Sequence, residues 1–307
     1  MKFPLRRLFL SIVSVLIWIA TTAGGQELEP RLYSNTPVGV NAVALSYGYS
    51  RGNVLLVPSL PLDNVDGSLN LVAFTYLRAV DLFGKAGKFE VTVPYAWGKY
   101  EGFFEEEFLT RKLVGWGDPR FRLAVNLTGA PALNVKEFAD YRQKTIVGVG
   151  LQVSAPVGKY EPDRLFNLGA NRWSFRPEIG VSRVWRKWFF ELAGGGLFFT
   201  TNDDFFGGQV LEQKPFYAIK AHAIRPFRPG LWLAINFGYG TGGEWKVNGE
   251  PRGNIQRNYR FGCTLSLPLK GGSSIKIIGA SGVATRFGSD FDAIVLAYQY
   301  TWGGKGK

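Results

Sequence analysis

A chain of 307 residues with 46% hydrophobic and 15% aromatic content can bury a large core, and its formal charge of +12 is spread without any block of Lys or Arg. That excludes a disordered or low-complexity chain and reads as a solvated charged surface, not a nucleic-acid site. One cysteine, Cys263, excludes a disulfide framework and a thiolate metal cluster.

Lys2, Arg6 and Arg7 precede an apolar run from Leu8 to Ala20, and the small residues Thr21 to Gly25 follow. This order matches a signal peptide over residues 1–23, cleaved near Ala23 or Gly25, with the mature chain starting near Gln26. The run is about 13 residues long, shorter than the ~18 needed to cross a bilayer. Removing the leader's three cations lowers the charge to +9. Export also argues against a nucleic-acid partner. Beyond the leader no stretch approaches a spanning helix, so a membrane could be crossed only by strands. A mean hydropathy near zero does not object, because alternation cancels in any average.

From there the pattern has a period of two. The clearest run sets Leu231, Leu233, Ile235, Phe237 and Tyr239 against Trp232, Ala234, Asn236, Gly238 and Gly240. From Tyr259, Phe261, Cys263, Leu265, Leu267 and Leu269 oppose Arg260, Gly262, Thr264 and Ser266; after Trp173, Phe175, Ile179 and Val181 oppose Arg176, Glu178 and Ser182. Alternation alone predicts strand. Its repetition, with ions on the polar side, predicts a closed barrel with an apolar exterior and a wet interior.

Breaking the chain at Gly, Asn, Asp and Pro clusters predicts about twelve strands, centred near Ala44, Phe74, Val93, Leu123, Val149, Ile179, Gly194, Ala221, Ile235, Thr264, Ile278 and Leu296. The fold class is therefore all-β, a transmembrane antiparallel β-barrel forming a single domain over residues 26–307. Tight links at Gly84-Lys85, Arg186-Lys187, Arg228-Pro229 and Gly271-Gly272 alternate with long ones. The long links are Val57 to Asp66, Glu101 to Lys112, Lys159 to Ala170, Asn202 to Gln213 and Gly242 to Asn254. Short periplasmic turns and long external loops are the barrel rule. Gly129 to Tyr141 breaks it, being long on the short side, with Val135 to Tyr141 suited to a helical turn. Pro94 and Pro177 each require a bulge or local break, since proline cannot donate to a ladder. Trp97, Trp173, Trp188 and Trp302 fall near strand ends, as membrane-interface aromatics do.

The polar faces point a set of ionisable groups inward: Glu90, Arg120, Arg122, Arg176, Glu178, Glu191, Lys220, His222, Arg260 and Lys276. A charge facing lipid at mid-membrane would cost roughly 2–4 kcal/mol, so these face the lumen if the strands span. They either line a pore that passes solutes or form a network that plugs a narrow barrel. His222 is the sole histidine, and no spacing marks a Ser and Asp partner, so it reads as a lining residue and the chain as a non-enzyme. No metal site is marked: Asp203-Asp204 reads as an external turn, with Phe205 and Phe206 folding over the mouth. Gly194-Gly195-Gly196 is followed by no helix pattern and reads as close packing within a strand, not a phosphate loop. No cofactor is implied.

Several stretches resemble a known family: GWGDPRFRLAVNLTGAPAL from Gly115, RQKTIVGVGLQVSAPVGKY from Arg142, NRWSFRPEIGVSR from Asn171, NDDFFGG from Asn202, FRPGLWLAINFGYGTGG from Phe227 and AYQYTWGG from Ala297. Together they are similar to the phenol meta-pathway degradation (MetA-pathway) family of outer-membrane transporters, over about Pro30 to Gly304. The resemblance implies a barrel in the bacterial outer membrane, in contact with its lipid, passing small solutes that include aromatic or hydrophobic compounds. It transfers no functional residues. The tail departs from the usual barrel ending, because Trp302 is followed by Gly303 to Lys307. The other function classes open to the chain are a structural or adhesive barrel, plugged inside and acting through its external loops, and an outer-membrane enzyme acting on lipid.

Overall fold

The computed structural model describes residues 28–55, 62–104, 107–164, 167–286 and 288–304. The leader and its cleavage point lie outside the described residues.

Alternation folds as anticipated. Strands β1 (Val40–Leu55), β2 (Leu62–Leu82), β3 (Lys85–Phe104), β4 (Glu107–Trp116) and β5 (Arg120–Thr128) are followed by the short helix α1 (Val135–Asp140). Next come β6 (Thr145–Ser154), β7 (Ser174–Trp185), β8 (Trp188–Phe199), β9 (Asn202–Phe205) and β10 (Gln209–Gln213). β11 (Phe216–Arg228), β12 (Leu231–Gly242), β13 (Trp245–Val247), β14 (Glu250–Pro251), β15 (Gln256–Pro268), β16 (Ser273–Arg286) and β17 (Gly288–Gly303) complete the chain.

Twelve antiparallel staves close into a barrel, the fourth being β4 and β5 in line. The first stave pairs with the last from Val40↔Gly303 to Leu55↔Gly288, so the sheet has no free end. Leu45, Phe74, Ile179, Leu192, Ile235 and Leu296 stand exposed on the outside, where lipid would cover them. Outward aromatic pairs bind neighbouring staves: Tyr239 and Tyr259 lie 4.7 Å apart, Phe237 and Phe261 5.0 Å. Tyr95–Trp116 adds another between β3 and β4, and Tyr300 stacks on Trp302 along β17 itself. Among the described residues no helix is long and apolar enough to cross a membrane.

Both prolines sit at breaks. Three residues, Gly117 to Pro119, interrupt the fourth stave opposite Val93 and Pro94, and Gly117 N–H donates to Pro94 O (2.9 Å). Toward β8 the ladder passes from Phe175↔Phe198 to Glu178↔Gly195, leaving Pro177 out. A Cβ on Gly195 would fall 2.4 Å from Pro177 O, so the glycine triplet in β8 serves close packing. The long periplasmic link folds as α1, whose Asn134 side chain accepts from the Lys136 and Glu137 amides while the Glu137 carboxylate accepts from the Asn134 amide.

Three of the expected external loops are more ordered than the sequence suggests. Glu101 to Lys112 is mostly strand, because β3 and β4 run on as a ribbon in which Phe103 opposes Phe108. Asn202 to Gln213 and Gly242 to Asn254 supply β9, β10, β13 and β14, a separate four-stranded sheet. Leu211, Trp245 and Val247 are fully buried there, as are Phe205 and Phe206 beside them.

Candidate functional site: the barrel lumen

All ten ionisable residues anticipated for the interior lie on the inner face of their strands. Most of them meet. Lys220 Nζ pairs with Glu178 Oε2 at 2.5 Å, both side chains buried. Arg122 donates through Nε and Nη2 to Gln152 Oε1 (3.1 and 2.7 Å) and lies 3.7 Å from Glu90. Glu191 accepts from Ser182 Oγ (3.1 Å), and Gln143 donates to the same hydroxyl. His222 Nδ1 bonds Asn236 Oδ1 (2.8 Å), whose amide donates to Thr264 Oγ1 (3.0 Å). Arg176 is buried on the same wall; Arg120, Arg260 and Lys276 are half-buried. The strand register puts Ser182, Glu191, His222 and Asn236 in one row around the bore.

What the alternation does not announce is the occupant of that bore. Residues 28–39 form a strap that enters the lumen ahead of β1. Its backbone is anchored where it enters: Val38 N–H donates to Leu133 O (2.8 Å) and Gly39 N–H to Ala79 O (3.0 Å). Deeper in, Arg31 N–H donates to Glu191 Oε2 (2.6 Å), and Tyr33 Oη to Glu178 Oε1 (3.2 Å). Glu29 takes the remaining side of Arg122 at 3.0 Å. Lys88 Nζ donates to Leu32 O (2.8 Å) and Arg31 O (3.3 Å), satisfying strap carbonyls that the barrel ladder cannot reach.

Small residues make the room. A Cβ on Gly180 would lie 2.1 Å from the Tyr33 ring, and one on Gly148 2.3 Å from it. Leu28 likewise rests over Gly238 and Gly262. Strand glycines at inward positions thus mark where a second piece of backbone lies against the wall. That was the available signal in the sequence, together with the run of inward Ala124, Gly150 and Ala193. Arg31, Tyr33 and Glu29 carry no periodicity that singles them out, whereas Lys88 shares the inward face of β3 with Glu90 and Thr92 and was within reach of the same period of two.

The wall has two chemical zones. The charged rows run from the periplasmic half of β3, with Lys88 and Glu90, through β5 to β15 and end at Lys276 on β16. On β2, β3, β4 and β17 the external half of the inner face is apolar instead: Val65, Ala96, Tyr100, Leu113 and Phe291 form one buried cluster, with Leu69 and Leu71 packed against it. Leu168, from the segment between β6 and β7, covers this cluster. Asp118, in the break of the fourth stave, holds that segment by accepting from the Gly158 and Ala170 amides (2.8 and 2.7 Å). Among the described residues no group of three His, Cys, Asp or Glu is placed to hold a metal ion, and Asp203 and Asp204 are exposed.

Comparisons with known proteins agree with this architecture. The chain resembles the COG4313 outer membrane channel from Pseudomonas putida F1 at 20% identity, with a TM-score of 0.75, over 90% of this chain and 100% of that one. It also resembles the transport unit of the autotransporter AIDA-I from Escherichia coli at 10% identity and a TM-score of 0.51, over 93% and 97% of the two chains. No curated protein matches the sequence. A family model matches residues 50–293, most of the barrel wall. This chain is an outer-membrane β-barrel and belongs to the family described as "Putative MetA-pathway of phenol degradation".

Proposed function

We propose that this barrel passes small apolar solutes, aromatic compounds among them, across the outer membrane by diffusion, with the strap setting the width of the path. The observation that carries this reading is the apolar external half of the lumen. A conduit for ions or sugars gains nothing from Val65, Leu69, Leu71, Leu113 and Phe291 on its inner face, whereas an apolar solute is stabilised there by about 25 cal/mol per Å² of surface removed from water. The name of the family points to the same solute class. In this reading Arg120, Arg122, Arg176, Glu178, Glu191, Lys220 and Arg260 form the polar wall, and their pairing holds the strap in place. Glu90, His222 and Lys276 complete that wall. The reading assigns no catalysis: the His222 ring is engaged by Asn236 and the Ser182 hydroxyl by Glu191. No cofactor or energy source enters it.

The test is accumulation of a labelled small aromatic, such as phenol, in cells with an intact lipopolysaccharide barrier, with and without the barrel. Faster accumulation with the barrel, slowed by Leu113→Glu, supports the proposal. Equal rates in the three strains contradict it. A second reading, a plugged barrel acting through its external surface, is favoured by the filled lumen and the ordered external sheet. It predicts that removing β9, β10, β13 and β14 abolishes binding of an external partner and leaves solute accumulation unchanged.

A further inference from the structure

The lipid-facing surface carries a cluster that solute passage does not use. Arg183, Trp185, Arg186, Lys187, Trp188 and Arg225 gather at the short-turn end of β7, β8 and β11, the periplasmic side by the rule that such turns are periplasmic. Arg183 and Trp185 share the outward face of β7 with Ile179 and Val181, and Arg225 shares that of β11 with Ile219. Trp185 pairs across from Trp188, and Arg183 from Phe190. The Arg186 guanidinium lies 5.2 Å from the Trp185 ring centroid and that of Arg225 5.7 Å from the Trp188 ring. Arg225 Nη1 also donates to Lys187 O (3.0 Å).

Tryptophans of this kind mark the depth of the headgroups, where an outward charge is tolerated. Four cations gathered at the ends of three neighbouring strands repel one another unless an anion lies between them. None of the four forms an ion pair among the described residues. The opposite side of the barrel differs: near the outward Arg78 of β2 the adjoining turn balances Lys85 with Asp81, which accepts from the Gly84 amide.

We infer that this cluster binds the phosphate of an anionic phospholipid in the inner leaflet of the outer membrane. Guanidinium groups held beside indole faces present fixed forks that match phosphate oxygens in pairs. Above them Phe190 and Leu192 offer an exposed apolar track for the acyl chains.

Native mass spectrometry of the folded barrel, loaded with equimolar phosphatidylglycerol and phosphatidylcholine, tests this directly. The intact barrel should retain phosphatidylglycerol in preference by about 10-fold or more, since each surface cation contributes roughly five-fold. Arg183→Gln with Arg225→Gln should cut the preference several-fold, and Arg78→Gln should leave it intact. Equal retention of both lipids by the intact barrel would overturn the inference. So would an unchanged preference in the double variant, an equal loss in Arg78→Gln, or stronger retention of lipopolysaccharide than of phosphatidylglycerol. If the double variant fails to fold, Arg186→Gln with Lys187→Gln, on the exposed turn, gives the same readout.

Discussion

Tyr33 meets the wall only because Gly148 and Gly180 have no side chains, and this makes the strap sensitive to single methyl groups. In Gly180→Val the new side chain claims the volume of the Tyr33 ring, so the ring must leave. The barrel ladder itself is spared, since Gly180 has an ordinary strand conformation with no positive φ. Planar-bilayer recording should therefore show a several-fold higher conductance for Gly180→Val than for the parent. The buried pair Lys220–Glu178 predicts the opposite kind of change. Lys220→Met strands the Glu178 carboxylate, at a cost of about 3 kcal/mol, and a lower urea midpoint is expected. Adding Glu178→Leu removes the stranded charge and should recover most of the loss. A double variant as unstable as the single one would show that the pair is not what Glu178 contributes.

At the scale of elements, the segment between β6 and β7 shows how a loop is fixed from two ends. Asp118 accepts its two amides near the wall, and Glu161 gathers Lys159 (3.2 Å), Arg111 (3.4 Å) and Arg164 (3.4 Å) farther out. Asp118→Ala should cost about 2 kcal/mol locally, read as roughly 30-fold faster hydrogen exchange at the Gly158 and Ala170 amides. The bond from Lys159, joined by the charges of Lys159 and Arg111, holds the Glu161 carboxyl below its ordinary value of 4.5. Because the folded carboxyl is the more acidic, its contribution is present above about pH 4.5 and drains as the pH falls through the lower folded value. Exchange at the Arg164 and Asn167 amides should accelerate below pH 4.5 and not between pH 5 and 8. The staves were legible in the sequence because a period of two with Leu and Phe outside leaves one face for the core and one for lipid. The strand break at Pro94 was legible because proline lacks the donor. The strap was not, since a segment such as Leu28 to Gly39 packs by local shape and has no period. The ribbon through Phe103 and Phe108 was hidden by the Glu and Lys that decorate it, and the sheet containing Trp245 by its glycines.

The whole molecule is a closed wall whose inner face is charged over much of its circumference and packed with apolar side chains toward the external end of β2, β3, β4 and β17, with a strap of the same chain lying across the bore. Closure satisfies the backbone without help from the lumen side chains. The inward groups contribute twice in this arrangement: Glu178 balances Lys220 and binds Tyr33, Glu191 joins Ser182 to the strap backbone, and Arg122 joins Gln152 to Glu29. The strap is held by hydrogen bonds, by the Glu29–Arg122 ion pair and by the packing of Tyr33 against Ala86, Ala124, Ile146 and Ala193, none of which belongs to the ladder between staves. The most direct measurement is single-channel recording in planar bilayers of the barrel with and without residues 28–36. Small, brief openings are expected for the intact chain and a steady, several-fold larger conductance for the deleted one. Identical conductance in the two would show that the strap does not close the lumen.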